Sequence, residues 1–170
     1  VIGYGMASSF NEGPAVVPAD AQWAGESVRY GHTPKGFGYI QLRRIQDEVL
    51  AELDAALSAL GHVSGLVLDF RGNSGGGCDH DALEARFVPL GKTMPRLARD
   101  PLPGAGSAPY GGPMVLIVDG TVVSAGETTS GMFKEDGRAF MIGESPTAGM
   151  SSQKETIDLP SGKFKLYVSV

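Results

Sequence analysis

GlyLeuValLeuAspPheArgGlyAsnSerGlyGlyGly, residues 65–77, decides the fold of this chain. The apolar run from Val63 to Phe70 predicts a strand covered on both faces, and it leads directly into a loop built mostly of glycine. Upstream, TyrIleGlnLeu at 39–42 reads as a short strand. Ile45, Val49, Leu53, Leu57 and Leu60 then recur at the spacing of one helix face, and Gly61 ends the helix. Strand, helix and strand together have the length that a right-handed crossover needs, so the reading is an α/β fold around a mixed or parallel sheet.

Working outward from this unit, Asp81 to Val88 reads as a helix that begins just after the glycine loop, while Leu90 to Pro113 shows no regular period. A connection of that length is usually functional or mobile. MetValLeuIleVal at 114–118 is a second buried strand. AspGlyThr at 119–121 turns the chain into a helix from Ser124 to Glu135, and ArgAlaPheMetIle at 138–142 is a third strand. A loop of Gly, Ser and Thr spans 143–153, and the remainder reads as a hairpin turning at ProSerGly. Residues 1–35 carry little pattern beyond a strand beginning near ValArgTyr at 28–30, so they are set apart as an N-terminal segment, with 36–170 as the core.

Of the 170 residues, 25 are Gly and 11 are Pro, yet 42% are hydrophobic and only 19% charged, which supports a packed core rather than disorder. A net charge of −5 with scattered basic residues argues against a nucleic-acid partner. No apolar run reaches the roughly 18–20 residues of a membrane span, and the N-terminus lacks the order of a signal peptide. Cys78 has no second cysteine to pair with, which fits a cytoplasmic setting without requiring one. The chain starts at Val1 and stops inside an apolar segment at Val170, so a piece of a longer protein is expected.

Two features follow buried strands, the place where α/β sheets bind ligands: the glycine loop and the turn SerAlaGlyGlu at 124–127. The loop offers backbone N–H groups with little side-chain bulk, suited to a developing oxyanion, although a plain tight turn explains it too. Gly72, Gly75, Gly76 and Gly77 fit neither a Walker loop nor GxGxxG. Ser124 stands where a nucleophile can project from a strand-to-helix turn. Ser-x-x-Glu is equally a capping box, in which Ser124 and Glu127 satisfy orphan helix N–H groups.

Taken together, the blocks GlyTyrIleGlnLeu at 38–42, GlyLeuValLeuAspPheArgGlyAsnSerGlyGly at 65–76, ProTyrGlyGlyProMetValLeuIleValAsp at 109–119, SerAlaGlyGlu at 124–127 and GlyArgAlaPheMetIleGlyGlu at 137–144 resemble the tail-specific, or C-terminal processing, serine protease family. That family also takes in the tricorn core protease and the interphotoreceptor retinoid-binding repeats. The resemblance implies a crotonase-like (ClpP/crotonase type) core with crossover helices, acting on polypeptides through an acyl-enzyme and needing no metal or other cofactor. It implies Ser124 as nucleophile, with Ala125 N–H and a donor from the Gly75–Gly76 pair as the oxyanion hole. An exported or periplasmic setting is compatible with it. The alternative is a catalytically inactive peptide- or ligand-binding module on the same core.

The bacterial members carry a general-base lysine in the loop after the GlyGlu block. Here that loop reads SerProThrAlaGlyMetSerSer at 145–152, with Gly149 or Met150 in the lysine's place, and Lys154 lies beyond it. The chain is therefore not read as a Ser-Lys enzyme. Branches resembling tricorn take a histidine base from well upstream and a glutamate from downstream. His80, directly after the glycine loop, is the candidate here against a plain surface histidine; otherwise the base is expected on a segment outside this chain or is absent. His62 reads as a loop residue, and His32 matches no motif. Glu135 reads as helix surface charge. Asp69, Arg71 and Asn73 are read as partners that shape the glycine loop rather than as substrate contacts. Cys78 beside His80 makes only a thin case for a reactive thiol.

Overall fold

The computed structural model describes residues 17–149 and 154–169. Its main sheet holds six strands: β1 (Gln22–Trp23), β2 (Val28–His32), β3 (Gly38–Leu42), β4 (Leu66–Asp69), β7 (Met114–Ile117) and β8 (Phe140–Ile142), in the order β1-β2-β3-β4-β7-β8. The first three pair antiparallel, and β3, β4, β7 and β8 run parallel, so the sheet is mixed. Among the described residues three helices punctuate it: α1 (Val49–Leu60), α2 (His80–Ala85) and α3 (Ala125–Glu135). The short strands β5 (Thr93–Met94) and β6 (Leu102–Pro103) pair within the long connection that shows no period in the sequence, and β9 (Lys154–Asp158) with β10 (Lys165–Ser169) forms the expected hairpin.

The core lies on one side of this sheet. Ile40, Leu42, Leu66, Leu68, Met114 and Leu116, alternate residues of the central strands, are buried in one cluster with Val49, Leu53, Ala56, Leu57 and Leu60 of α1. Phe133 of α3 belongs to the same cluster and meets Phe87 edge to face, with ring centroids 5.2 Å apart. The other face is covered only in part: Tyr39, Gln41 and Asp69 are buried, whereas Val67, Val115 and Ile117 are half-buried and Phe140 is 72% exposed. An apolar run sets composition, but cover depends on what tertiary structure brings to each face.

Helix α1 also begins later than the apolar spacing suggests. Ile45 lies before it and is fully buried, and its N–H donates to Gly75 O at 2.9 Å, so it braces the glycine loop instead of opening a helix. The Glu52 carboxylate accepts the N–H groups of Glu26, Ser27 and Val28, tying α1 to the start of β2. Arg86 links α2 to α1 by donating to Leu50 O at 3.0 Å and to Asp54 at 3.0 Å. Arg138 donates to Tyr110 O and Gly112 O, both at 3.0 Å, pinning the end of the long connection just before β7.

Glu84 of α2 is fully buried, and neither of its carboxyl oxygens accepts a hydrogen bond from the described residues. Burial, and next the neighbouring Asp136 carboxylate, raise its pKa to about 7, while Arg99, which pairs with Asp136, opposes the rise. The folded state thus holds this proton more tightly than the unfolded chain. The associated stability is complete below the ordinary value of 4.5 and is lost as pH rises through about 7. Glu84→Gln is expected to flatten the fall in thermal midpoint between pH 5 and pH 8, measured by scanning calorimetry against the wild-type chain.

Candidate active site

Because β4 and β7 are parallel neighbours, the glycine loop after β4 and the turn after β7 emerge side by side. Asn73 ties them together. It is fully buried; its Nδ2 donates to Leu42 O at 2.8 Å, its Oδ1 accepts from Gly75 N at 2.8 Å, and its carbonyl accepts from Val123 N at 3.1 Å. Gly126 leaves room for this carboxamide, since a Cβ there would come within 2.5 Å of Asn73 Oδ1. A second tie runs from Gly72 N to Thr121 Oγ1 at 2.6 Å, and Thr121 in turn donates to Asp119. Beneath the loop, buried Asp69 accepts from Tyr39 Oη at 2.7 Å and from the backbone and guanidinium of Arg71. Of the three residues read as shaping the glycine loop, Asn73 bonds directly into its glycines, while Asp69 and Arg71 pair with each other at its base.

Ser124 is the residue immediately before α3, with φ 52° and ψ −123°. A simple N-cap sits in the extended region, so the capping box alone does not account for this backbone. A non-glycine residue held at positive φ stores on the order of 1–3 kcal/mol of strain, and such positions cluster at functional sites. The capping box expected of Ser-x-x-Glu is present, and Glu127 does more than cap: Oε2 accepts from Ser124 N at 3.1 Å, while Oε1 accepts from Gly149 N at 3.0 Å and clips the 143–149 loop to the turn. Gly75, at φ 77°, packs directly against the serine; a Cβ there would lie 2.8 Å from Ser124 Cβ and 3.0 Å from Val123 O.

This arrangement narrows the oxyanion candidates. Gly75 commits its N–H to Asn73, so within the Gly75–Gly76 pair the available donor is Gly76. Neither Gly76 N nor Ala125 N donates to any of the described residues. Gly76 sits at φ 133° with its Cα against Ile45 O, a conformation that no side chain would tolerate.

Topology sorts the candidate bases. His32 pairs with Gly38 at the N-terminal end of β3 and its ring lies 3.3 Å from Asp20, while exposed His62 precedes β4, so both stand at the opposite end of the parallel strands from Ser124. His80, the first residue of α2, is at the correct end: its Nδ1 lies 2.8 Å from Thr129 Oγ1 on α3. Among the described residues no base bonds to the Ser124 hydroxyl. Met150 lies outside those residues, and Lys154 opens β9. Burial pushes the Cys78 thiol up to about 11, the wrong direction for a reactive thiolate, and Glu135 is exposed on α3. The contributions of Thr121 and Thr129 carry no signal in the sequence, since both arise from side chains meeting across elements.

The sequence pattern of peptidase family S41 matches residues 36–169. Among solved structures, the chain is similar to a photosystem II D1 C-terminal processing protease, with 28% identity and a TM-score of 0.58 over 79% of this chain and 36% of that one. It is similar in fold to a candidate peptidase from Parabacteroides merdae, at 20% identity and a TM-score of 0.66 over 85% and 50%. Mature CPAF complexed with lactacystin matches at 13% identity and a TM-score of 0.61, over 98% and 50%. The chain thus spans half or less of the length of these proteins. No curated protein matches it.

Gly75→Ala should destabilise the chain by on the order of 1–3 kcal/mol in urea unfolding, from strain at positive φ and the collision with Ser124. Gly77→Ala, at a position where a Cβ meets nothing within 4 Å, should remain close to wild type.

Proposed function

The chain belongs to peptidase family S41, and from that premise we propose that it is the serine-endopeptidase core of its protein, cleaving polypeptides through an acyl-enzyme on Ser124. The proposal includes a crotonase-like core, which the mixed sheet and its crossover helices support. One observation carries it: Ser124 is held at φ 52°, against the Cα of Gly75, at the start of a helix whose first N–H donates to none of the described residues.

In this reading Ser124 Oγ attacks the scissile carbonyl while its proton passes to the base, for which His80 is the candidate. The carbonyl oxygen gathers charge between the N–H groups of Ala125 and Gly76. Collapse breaks the C–N bond, the base returns the proton to the leaving amine, and water then releases the acyl group. Losing one such N–H donor typically costs about 2.7–4 kcal/mol of barrier. The helix N-terminus adds a partial positive charge on the same side.

Treatment of the intact protein with a fluorophosphonate probe should label Ser124, and Ser124→Ala should abolish both labelling and peptide hydrolysis. Hydrolysis that survives Ser124→Ala, or a wild-type protein that neither labels nor hydrolyses peptides, overturns the peptidase reading; the second result identifies a binding module on the same core.

A further inference from the structure

We propose that Thr129 is a positioning residue of this site: it holds His80 in the tautomer that carries its proton on Nδ1 and so leaves Nε2 as the basic nitrogen. The inference rests on the serine-peptidase reading with His80 as its base, but the tautomer is carried by a separate geometry. Thr129 is fully buried on α3, one turn after Ala125. Its Oγ1 lies 2.8 Å from Ala125 O and 2.8 Å from His80 Nδ1.

A hydroxyl has one proton to give. A carbonyl oxygen has none, so two oxygens 2.8 Å apart attract only when the threonine proton lies between them. Towards His80, Oγ1 is therefore an acceptor, and Nδ1 must be the donor. That assigns the remaining lone pair of the neutral ring to Nε2, which makes no bond to any described residue. The same hydrogen bond persists when the ring is doubly protonated, because Nδ1–H is common to both states. The ring can thus take and return a proton at Nε2 without its other side reorganising.

The chain of contacts also runs back to the proposed oxyanion donor. Ala125 supplies the N–H beside Ser124 on one side of its Cα and, through its carbonyl on the other, the anchor for Thr129 and His80. In the Ser-His-Asp template a buried carboxylate sets the tautomer, and the wrong tautomer lowers turnover about 10⁴-fold. A neutral hydroxyl sets the tautomer without adding a charge to the imidazolium, so a smaller loss is expected here. Without an acceptor at Nδ1, the proton is free to move to Nε2, where it blocks the base.

The test is 15N–1H correlation NMR of the intact protein labelled at histidine, above the imidazole titration, with His80 assigned by His80→Gln. Wild type and Thr129→Ser should show the proton on Nδ1, and Thr129→Val should move it towards Nε2. In parallel, Thr129→Val should lower kcat for a peptide substrate by about tenfold or more at unchanged KM, with Thr129→Ser restoring most of it. A wild-type ring protonated on Nε2, a Thr129→Val variant that keeps the Nδ1 tautomer, or a tautomer shift without a fall in kcat each overturns the proposal. Comparing the thermal midpoints of the two variants separates loss of position from loss of fold. If Ser124 is not a nucleophile, wild type fails to turn over while the tautomer result still stands, so the two failures are distinguishable.

Discussion

Two backbone N–H groups from different loops can point at one spot only if both loops are fixed to each other, and Asn73 is the residue that fixes them, through its backbone carbonyl as well as its carboxamide. Its carboxamide satisfies the carbonyl that ends β3, holds Gly75 in its left-handed bend and sits over the Cα of Gly126, while its backbone carbonyl accepts from Val123 N. Each buried group left unpaired by its loss would cost roughly 1–3 kcal/mol. It also takes up the N–H of Gly75, whereas the N–H of Gly76 donates to none of the described residues. The strain at Ser124 is held in place by the same neighbours: Gly75 against its Cβ, Glu127 on its N–H, and the 143–149 loop clipped alongside.

Much of this was legible in the chain itself. The parallel core follows from apolar periodicity around Leu66–Asp69 and Met114–Ile117, and the helix after Ser124 follows from its Ser-x-x-Glu signature. Positions 75 and 126 read simply as glycine, and only the fold reveals why: at each, another residue occupies the space that a Cβ would need. The misjudged points share a cause. Ile45 matches the period of α1 yet is diverted to brace the glycine loop, and Val67 is apolar yet half-buried, because local pattern records a residue's chemistry without recording which partner arrives from elsewhere in the chain.

The histidines illustrate the same limit. His32, His62 and His80 are indistinguishable by type, and strand direction separates them, since only His80 lies at the end of the sheet from which the serine turn leaves. Its partner Thr129 sits mid-helix, where a threonine returning its proton to the carbonyl four residues back is an ordinary local habit. What is particular is that the spare lone pair of that hydroxyl meets an imidazole from α2.

The central proposal is that Ser124 Oγ and the N–H groups of Gly76 and Ala125 meet at one carbonyl group, the serine at its carbon and the two donors at its oxygen. A crystal structure of the intact protein with a peptide boronate tests it most directly. The account predicts boron bonded to Ser124 Oγ, with one boronate oxygen 2.7–3.1 Å from both Gly76 N and Ala125 N, the range expected of oxyanion donors. A boronate bonded elsewhere, or one on Ser124 whose oxygens reach neither N–H, would contradict it.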